Sequence, residues 1–160
     1  VVASMEGTRP ILVELQALVT PSALGTPRRT TLGVDPGRVA LLVAVLEKKV
    51  GLHLTGQDIF LNVAGGFRID EPAADLGTIA AVASSFLDRP IDAATLVVGE
   101  VGLAGEVRAV SQAEMRVREA QKMGFRRCIL PGAAGRPVNG SNGIEVVGVG
   151  SLEDVWSVLF

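Results

Sequence analysis

Apolar residues recur along the chain in two rhythms, one of period two and one of three to four, and the switches between them mark its elements. Residues 9–19, RPILVELQALV, mix β-branched residues with Leu and place Glu14 and Gln16 on one side, which predicts a long, half-buried first strand. PSALGTP then supplies two prolines and a glycine before RRTTL (28–32), predicting a second strand antiparallel to the first in a β-hairpin. Asp35 followed by Pro36 reads as a cap and first helical residue. Val39, Leu42, Val43, Leu46 and Val50 then mark one face of a helix that ends near Gly51. DIFLNVA (58–64) reads as a strand.

The plainest passage from loop to buried helix is GGFRIDEPAADLGTIAAVASSFL, 65–87. Pro72 suits the first helical position, where its missing donor would be unpaired anyway, and Asp70 and Glu71 suit the positive helix end. Leu76, Ile79, Ala80, Ala83, Phe86 and Leu87 fall at spacings of three and four, with alanines small enough for close approach to a sheet. After a turn at 88–90, TLVV (95–98) reads as a strand, and GEVGLAGEVRAV as strand, turn and hairpin strand punctuated by Gly99, Gly102 and Gly105. Ser111 and Glu114 form an S-x-x-E capping box, flanked by Val110 and Met115 as a hydrophobic staple, and predict a helix that runs to Gly124. RRCIL and IEVV (144–147) read as two strands separated by a Gly/Pro/Asn-rich loop. Ser151 caps a last helix carrying Leu152, Val155 and Leu159. Strands alternating with helices predict an α/β layered domain whose sheet is mixed.

Composition narrows the picture. With 160 residues, 48% hydrophobic and 20% charged, the apolar material fills one domain. Fifteen Lys and Arg against 17 Asp and Glu leave a net charge of −2, so attraction to DNA has to be local. No run of about 18 apolar residues and no basic-then-apolar leader is present, which predicts a cytoplasmic protein without membrane contact. The start at Val1, close to a strand, reads as a domain cut from a longer chain.

Candidate chemistry is sparse. The single Cys128 lies in an apolar run and reads as a small core residue, and with one histidine, His53, no ordinary metal cluster or Cys/His pair arises. Gly65 and Gly66 lack phosphate-loop spacing, and Glu71 and Asp75 would repel phosphate at the helix start, so no cofactor is expected in this chain.

GEVGLAGEVRAV, with an Asp-x-Pro-small-small helix start some thirty residues earlier, resembles the Lon proteolytic domain. This implies a ribosomal protein S5 domain 2-like fold, a mixed sheet with packed helices. That family uses a serine and lysine dyad, whose positions fall on Ala73 and Glu114 here. Alanine has no nucleophile, and glutamate cannot serve as the base or as the cation beside an oxyanion, so no catalytic residue is expected. Four blocks in order, SMEGTRPILVELQALV, PRRTTLGVDPGRVALLVAVLEKKVG, VAGGFRIDEPAADLG and GEVGLAGEVRAVSQAEMRVREAQKMGF, resemble the carboxy-terminal domain of the RadA (Sms) family of DNA repair proteins. The resemblance implies that ATP, Mg and Zn belong to upstream regions. It implies that this non-proteolytic domain joins protomers into a ring, hexameric in the whole protein, and helps hold DNA during recombination and branch migration. The alternative is a Lon-type peptidase with a relocated nucleophile, Ser111 with Lys122. Those residues are eleven apart on one helix, roughly 16 Å of rise, too far for a nucleophile and its base.

Arg28, Arg29, Arg38, Lys48 and Lys49 form the candidate DNA-binding patch, weak and independent of sequence. Lys48 and Lys49 equally suit the helix dipole. Arg116, Arg118, Lys122, Arg126 and Arg127 form a second, diluted by Glu114 and Glu119. With five Phe, one Trp and no Tyr, mostly in apolar contexts, stacking on bases is not expected.

Overall fold

A computed structural model describes residues 1–23, 25–132 and 143–160. Leu24 and the Gly/Pro/Asn-rich stretch 133–142 lie outside the described residues. The chain opens on an antiparallel pair, β1 (Val2–Glu6) and β2 (Arg9–Val13), turning at Gly7, where φ is +61°. The expected single strand over 9–19 is therefore two. It breaks at Glu14, after which β3 (Leu15–Pro21) joins a different sheet. Alternation continues through the break, so only the change of partner marks it.

The expected hairpin is also corrected. β4 (Arg29–Leu32) does not pair with β3. It pairs parallel with β5 (Gln57–Val63), which lies between them and runs antiparallel to β3. Ile59, Leu61 and Val63 of β5 are all at or below 2% exposed, which suits a central strand, whereas the polar RTTL suits an edge. The Pro/Gly stretch set a reversal of direction, not the identity of the neighbour.

Between β4 and β5 runs α1 (Pro36–Val45), capped by Asp35 accepting from Arg38 N at 2.7 Å. Its last turn, Leu46–Val50, widens and closes on Gly51 at φ +80°. After a tight turn at Pro72–Ala74 comes α2 (Asp75–Leu87), with Leu76, Ile79, Ala80 and Ala83 buried and Phe86 and Leu87 half-buried. Gly77 lets α2 meet β1: a Cβ there would lie 2.1 Å from Val2 Cγ1.

β6 (Thr95–Val97) is followed by the small hairpin β7 (Glu100–Val101) and β8 (Val107–Arg108), as its glycines predict. Next comes α3 (Ala113–Lys122). β9 (Arg127–Pro131) and β10 (Glu145–Val149) complete a parallel sheet in the order β10-β9-β6. α4 (Leu152–Leu159) closes the chain under a complete capping box between Ser151 and Asp154. The parallel sheet is buried on both faces. Val97, Ile129 and Val149 join α1, α2 and α4 in the larger cluster, while Leu96, Val98, Cys128 and Leu130 join Val117 and Ala120 of α3 in the second. Double burial explains why TLVV and CIL are continuous rather than alternating apolar runs. The mixed α/β architecture is thereby observed.

Burial pushes the Cys128 thiol up to about 12. Thiolate is the reactive form, so the native protein should not react with Ellman's reagent and should release one equivalent of chromophore on denaturation. Stoichiometric labelling of the folded chain within minutes would show that β9 opens readily.

Candidate nucleic-acid interface and the dyad positions

The turn before α2 and the start of α3 are far apart in sequence and joined by one ion pair. Glu71 accepts from Arg116 Nη1 at 2.8 Å and Nη2 at 2.7 Å, the fork-to-fork geometry that a guanidinium and a carboxylate favour. Met5 N donates to the same carboxylate at 2.7 Å. Arg116 also donates to the carbonyls of Ala3 and, through Nε at 3.0 Å, of Ser111. Its side chain is 0% exposed. One arginine thus holds together β1, the turn at Glu71 and the loop before α3.

This pair accounts for two departures from the expected helix starts. The carboxylate of Glu71 serves Arg116 and Met5 rather than the helix terminus, and the first-turn acid of α2 is Asp75. The capping box at Ser111 is absent. Gln112 occupies the cap at φ +56° without a side-chain bond, and the Ser111 carbonyl bonds Arg116. Met115 is 39% exposed, so it does not act as a staple. Burial pushes the Glu71 carboxyl up, but hydrogen bonds from Arg116 and Met5 outweigh it and leave its pKa below the usual glutamate range.

At the two dyad positions, the Ala73 methyl is buried with Leu96 and Val98 in the second cluster. Glu114 is 78% exposed and lies 3.9 Å from Arg118. Ser111 precedes α3 and Lys122 ends it, 3.6 Å from Glu119, so the relocated pair is not brought together.

The candidate patch divides. Arg28 lies beside Asp58 at 3.4 Å and 5.8 Å from the Phe60 ring centre, and Arg29 donates to the carbonyls of Gln57 and Leu54. Lys48 and Lys49 are exposed in the last turn of α1. Beside them Thr55 of the 51–56 loop donates to Glu47, and the Lys49 side chain lies against Gly105. Arg38 sits at the other end of α1, about 15 Å of helix rise away. It is engaged by buried Asp75, with Nε to Oδ1 at 2.9 Å, and Asp75 also accepts from Val101 N at 3.1 Å. Arg38 is therefore a tie between α1, α2 and β7.

In the second patch Arg116 is interior. Arg126 lies 3.1 Å from Asp92 and Arg127 3.2 Å from Glu145. The roles of Arg116 and Glu71 escape a reading of charge alone, although a signal exists. Arg116 shares the stripe of Ala113, Val117 and Ala120 at spacings of three and four, which is the buried side of α3. Among the described residues no helix is long and apolar enough to cross a membrane.

Comparison with known proteins adds a lineage. The family described as subunit ChlI of Mg-chelatase matches residues 38–134. The DNA repair protein RadA of Bacillus subtilis (strain 168) is 54% identical over 154 residues, which cover 96% of this chain and 34% of that protein. RadA of Halalkalibacterium halodurans is 52% identical over 158 residues, 99% of this chain and 35% of its own. RadA of Streptococcus pneumoniae (strain ATCC BAA-255 / R6) is 46% identical over 160 residues, 100% and 38%. The chain thus spans about a third of the length of the curated relatives it matches.

Removing one partner of the buried pair strands the other. Arg116→Met should destabilise the fold by about 3–5 kcal/mol in urea unfolding. Because the Glu71 pKa is lowered on folding, its contribution is complete above the unfolded value near pH 4.3 and is lost as pH falls through the lower folded value. Glu71→Gln should therefore flatten the loss of stability below about pH 4.3. An unchanged acid profile would mean that the pair carries no linkage.

Proposed function

The chain belongs to the family described as subunit ChlI of Mg-chelatase, in the form found as the carboxy-terminal region of the DNA repair protein RadA, and on that footing we propose that it is a non-proteolytic, Lon-like scaffold domain. In this reading it joins protomers of the longer protein into a ring and contacts DNA along its basic end. ATP-driven recombination and branch migration, with their ATP, Mg and Zn, belong to the remainder of that protein.

The observation that carries the reading is the state of the dyad region. A peptidase needs a nucleophile and a base within hydrogen-bond reach of each other. Here the first position is a buried methyl, and the second is a solvated carboxylate beside Arg118. The Glu71–Arg116 pair and Met5 N close the region between the start of α2 and α3, leaving it structural. The peptidase alternative gains nothing from Ser111 and Lys122, which stand at opposite ends of α3.

For DNA the domain offers a short stretch of cation, Arg28, Arg29, Lys48 and Lys49, on a chain of net charge −2. Contact limited to a few phosphates is weak and insensitive to sequence, and repetition around a ring raises its effect through effective concentration.

Neutralising Lys48 and Lys49 (K48Q, K49Q) in the longer protein leaves every bond described above in place. The variant should bind DNA more weakly, and its slope of log affinity against log salt should be shallower by about 0.9 per lost phosphate contact. Its mass by light scattering should not change, and neither protein should cleave a peptide substrate. Wild-type affinity and slope in the variant would remove the basic end from the DNA path. A monomeric longer protein at all concentrations would remove the scaffold role.

A further inference from the structure

One face of the β3-β5-β4 sheet stands open. Its inner residues, Ala17, Val19, Ile59 and Leu61, pack beneath α1 and α2, so the alternate set points away from the core. On that side Phe60 occupies the centre of the central strand, directly opposite Leu18 on β3 and Thr30 on β4. The next row is Gln16, Asn62 and Leu32. Leu18 and Leu32 are 58% and 62% exposed. Together they border an open depression of about 250 Å³.

The charge on this face has a direction. At one end Arg28 stands 5.8 Å from the Phe60 ring centre, whereas Arg29, opposite the inner residue Ile59, belongs to the other side and bonds the carbonyls of Gln57 and Leu54. The nearby carboxylate, Asp58, is engaged by Arg28 N at 2.7 Å and faces the same guanidinium. The middle carries neutral amides and a hydroxyl: Asn62 donates to Gln16 at 3.2 Å, and Gln16 donates to Glu14 at 3.0 Å at the far rim. A half-buried aromatic ring on an open sheet, a cation at one strand end and amides alongside are the parts that bind unpaired bases. The ring stacks on a base, the cation meets its phosphates and the amides meet its edges.

Size decides between this occupant and a second copy of the chain. Three strands at ~4.8 Å spacing, four to seven residues long at ~3.3 Å each, give roughly 300 Å², well short of the ~800 Å² per partner of a stable protein interface. A nucleotide or two fits that extent.

We propose that the open face of the β3-β5-β4 sheet is a single-strand-selective nucleic-acid site in which an unpaired base stacks on Phe60 and its phosphates run toward Arg28. The inference rests on the DNA-contacting part of the proposed function and adds to it a strand preference. It also departs from the expectation that this chain does not stack on bases.

The test uses the longer protein and a fluorescein-labelled oligo(dT), with a duplex of equal length as control. Phe60→Leu keeps apolar volume on the strand and removes the aromatic face. It should lower affinity for the single strand about tenfold, with duplex affinity and the salt slope unchanged. Phe60→Trp should restore binding, and oligo(dT) should quench its added fluorescence. Undiminished single-strand binding by Phe60→Leu, while K48Q/K49Q still weakens binding, overturns the stacking site and leaves the basic end standing. Equal loss for single and double strands also overturns it. Absence of any effect from either variant overturns both.

Discussion

The fold turns on a buried guanidinium. Arg116 is fully enclosed, and four groups from three separate stretches converge on it: two oxygens of Glu71 and the carbonyls of Ala3 and Ser111. A charge in an apolar interior is tolerable only when its donors are matched this completely, so the positions of these stretches are mutually constrained. Once α3 and the turn at Glu71 are held to β1, α2 must leave that turn where Leu76 N can bond Gly99 O and Gly99 N can bond Ala73 O. This brings α2 onto the parallel sheet.

A second tie of the same kind acts on the other side. Asp75, 3% exposed, receives Arg38 from α1 and the amide of Val101, so the first turn of α2 is fixed by arginines at both flanks. Between the two ties runs the continuous apolar packing of β6 and β9. The division of labour is physical: double burial of a parallel sheet supplies the driving force, and the directional ion pairs select one arrangement of helices around it. A helix start that carries a nucleophile needs some freedom of access. Here the same place is closed by packing and by a paired carboxylate.

The basic residues illustrate how little charge says before it is placed. Ten cations read from the sequence form two candidate groups, yet Arg116 is interior and Arg38 is a clamp on Asp75. Arg118, Lys122, Arg126 and Arg127 each face an acid within 4 Å. Arg28, Arg29, Lys48 and Lys49 at the α1 and β4 end are exposed, and of these Arg28 adjoins the sheet face that presents Phe60.

Much was legible in the residues alone, because it depends on interactions within a few positions. Asp35–Pro36, Gly51, Pro72 and Ser151 bound their helices as local capping chemistry requires, and the glycines of GEVGLAGEV bend the β7–β8 hairpin. Continuous runs such as TLVV and CIL announced burial, and the kinship to RadA lies in the order of the sequence blocks. What the tertiary structure decided is pairing at a distance. β4 parallel to β5 instead of antiparallel to β3, and Phe60 turned outward, depend on strand partners 30 or more residues away, and Ser111 leaves its cap for an Arg116 whose place is set by Glu71 and Ala3, 45 and 113 residues off; no local rhythm encodes these partners. Period two reports that Ile59 and Phe60 face opposite ways. Only the assembled layers determine which of the two sides is covered.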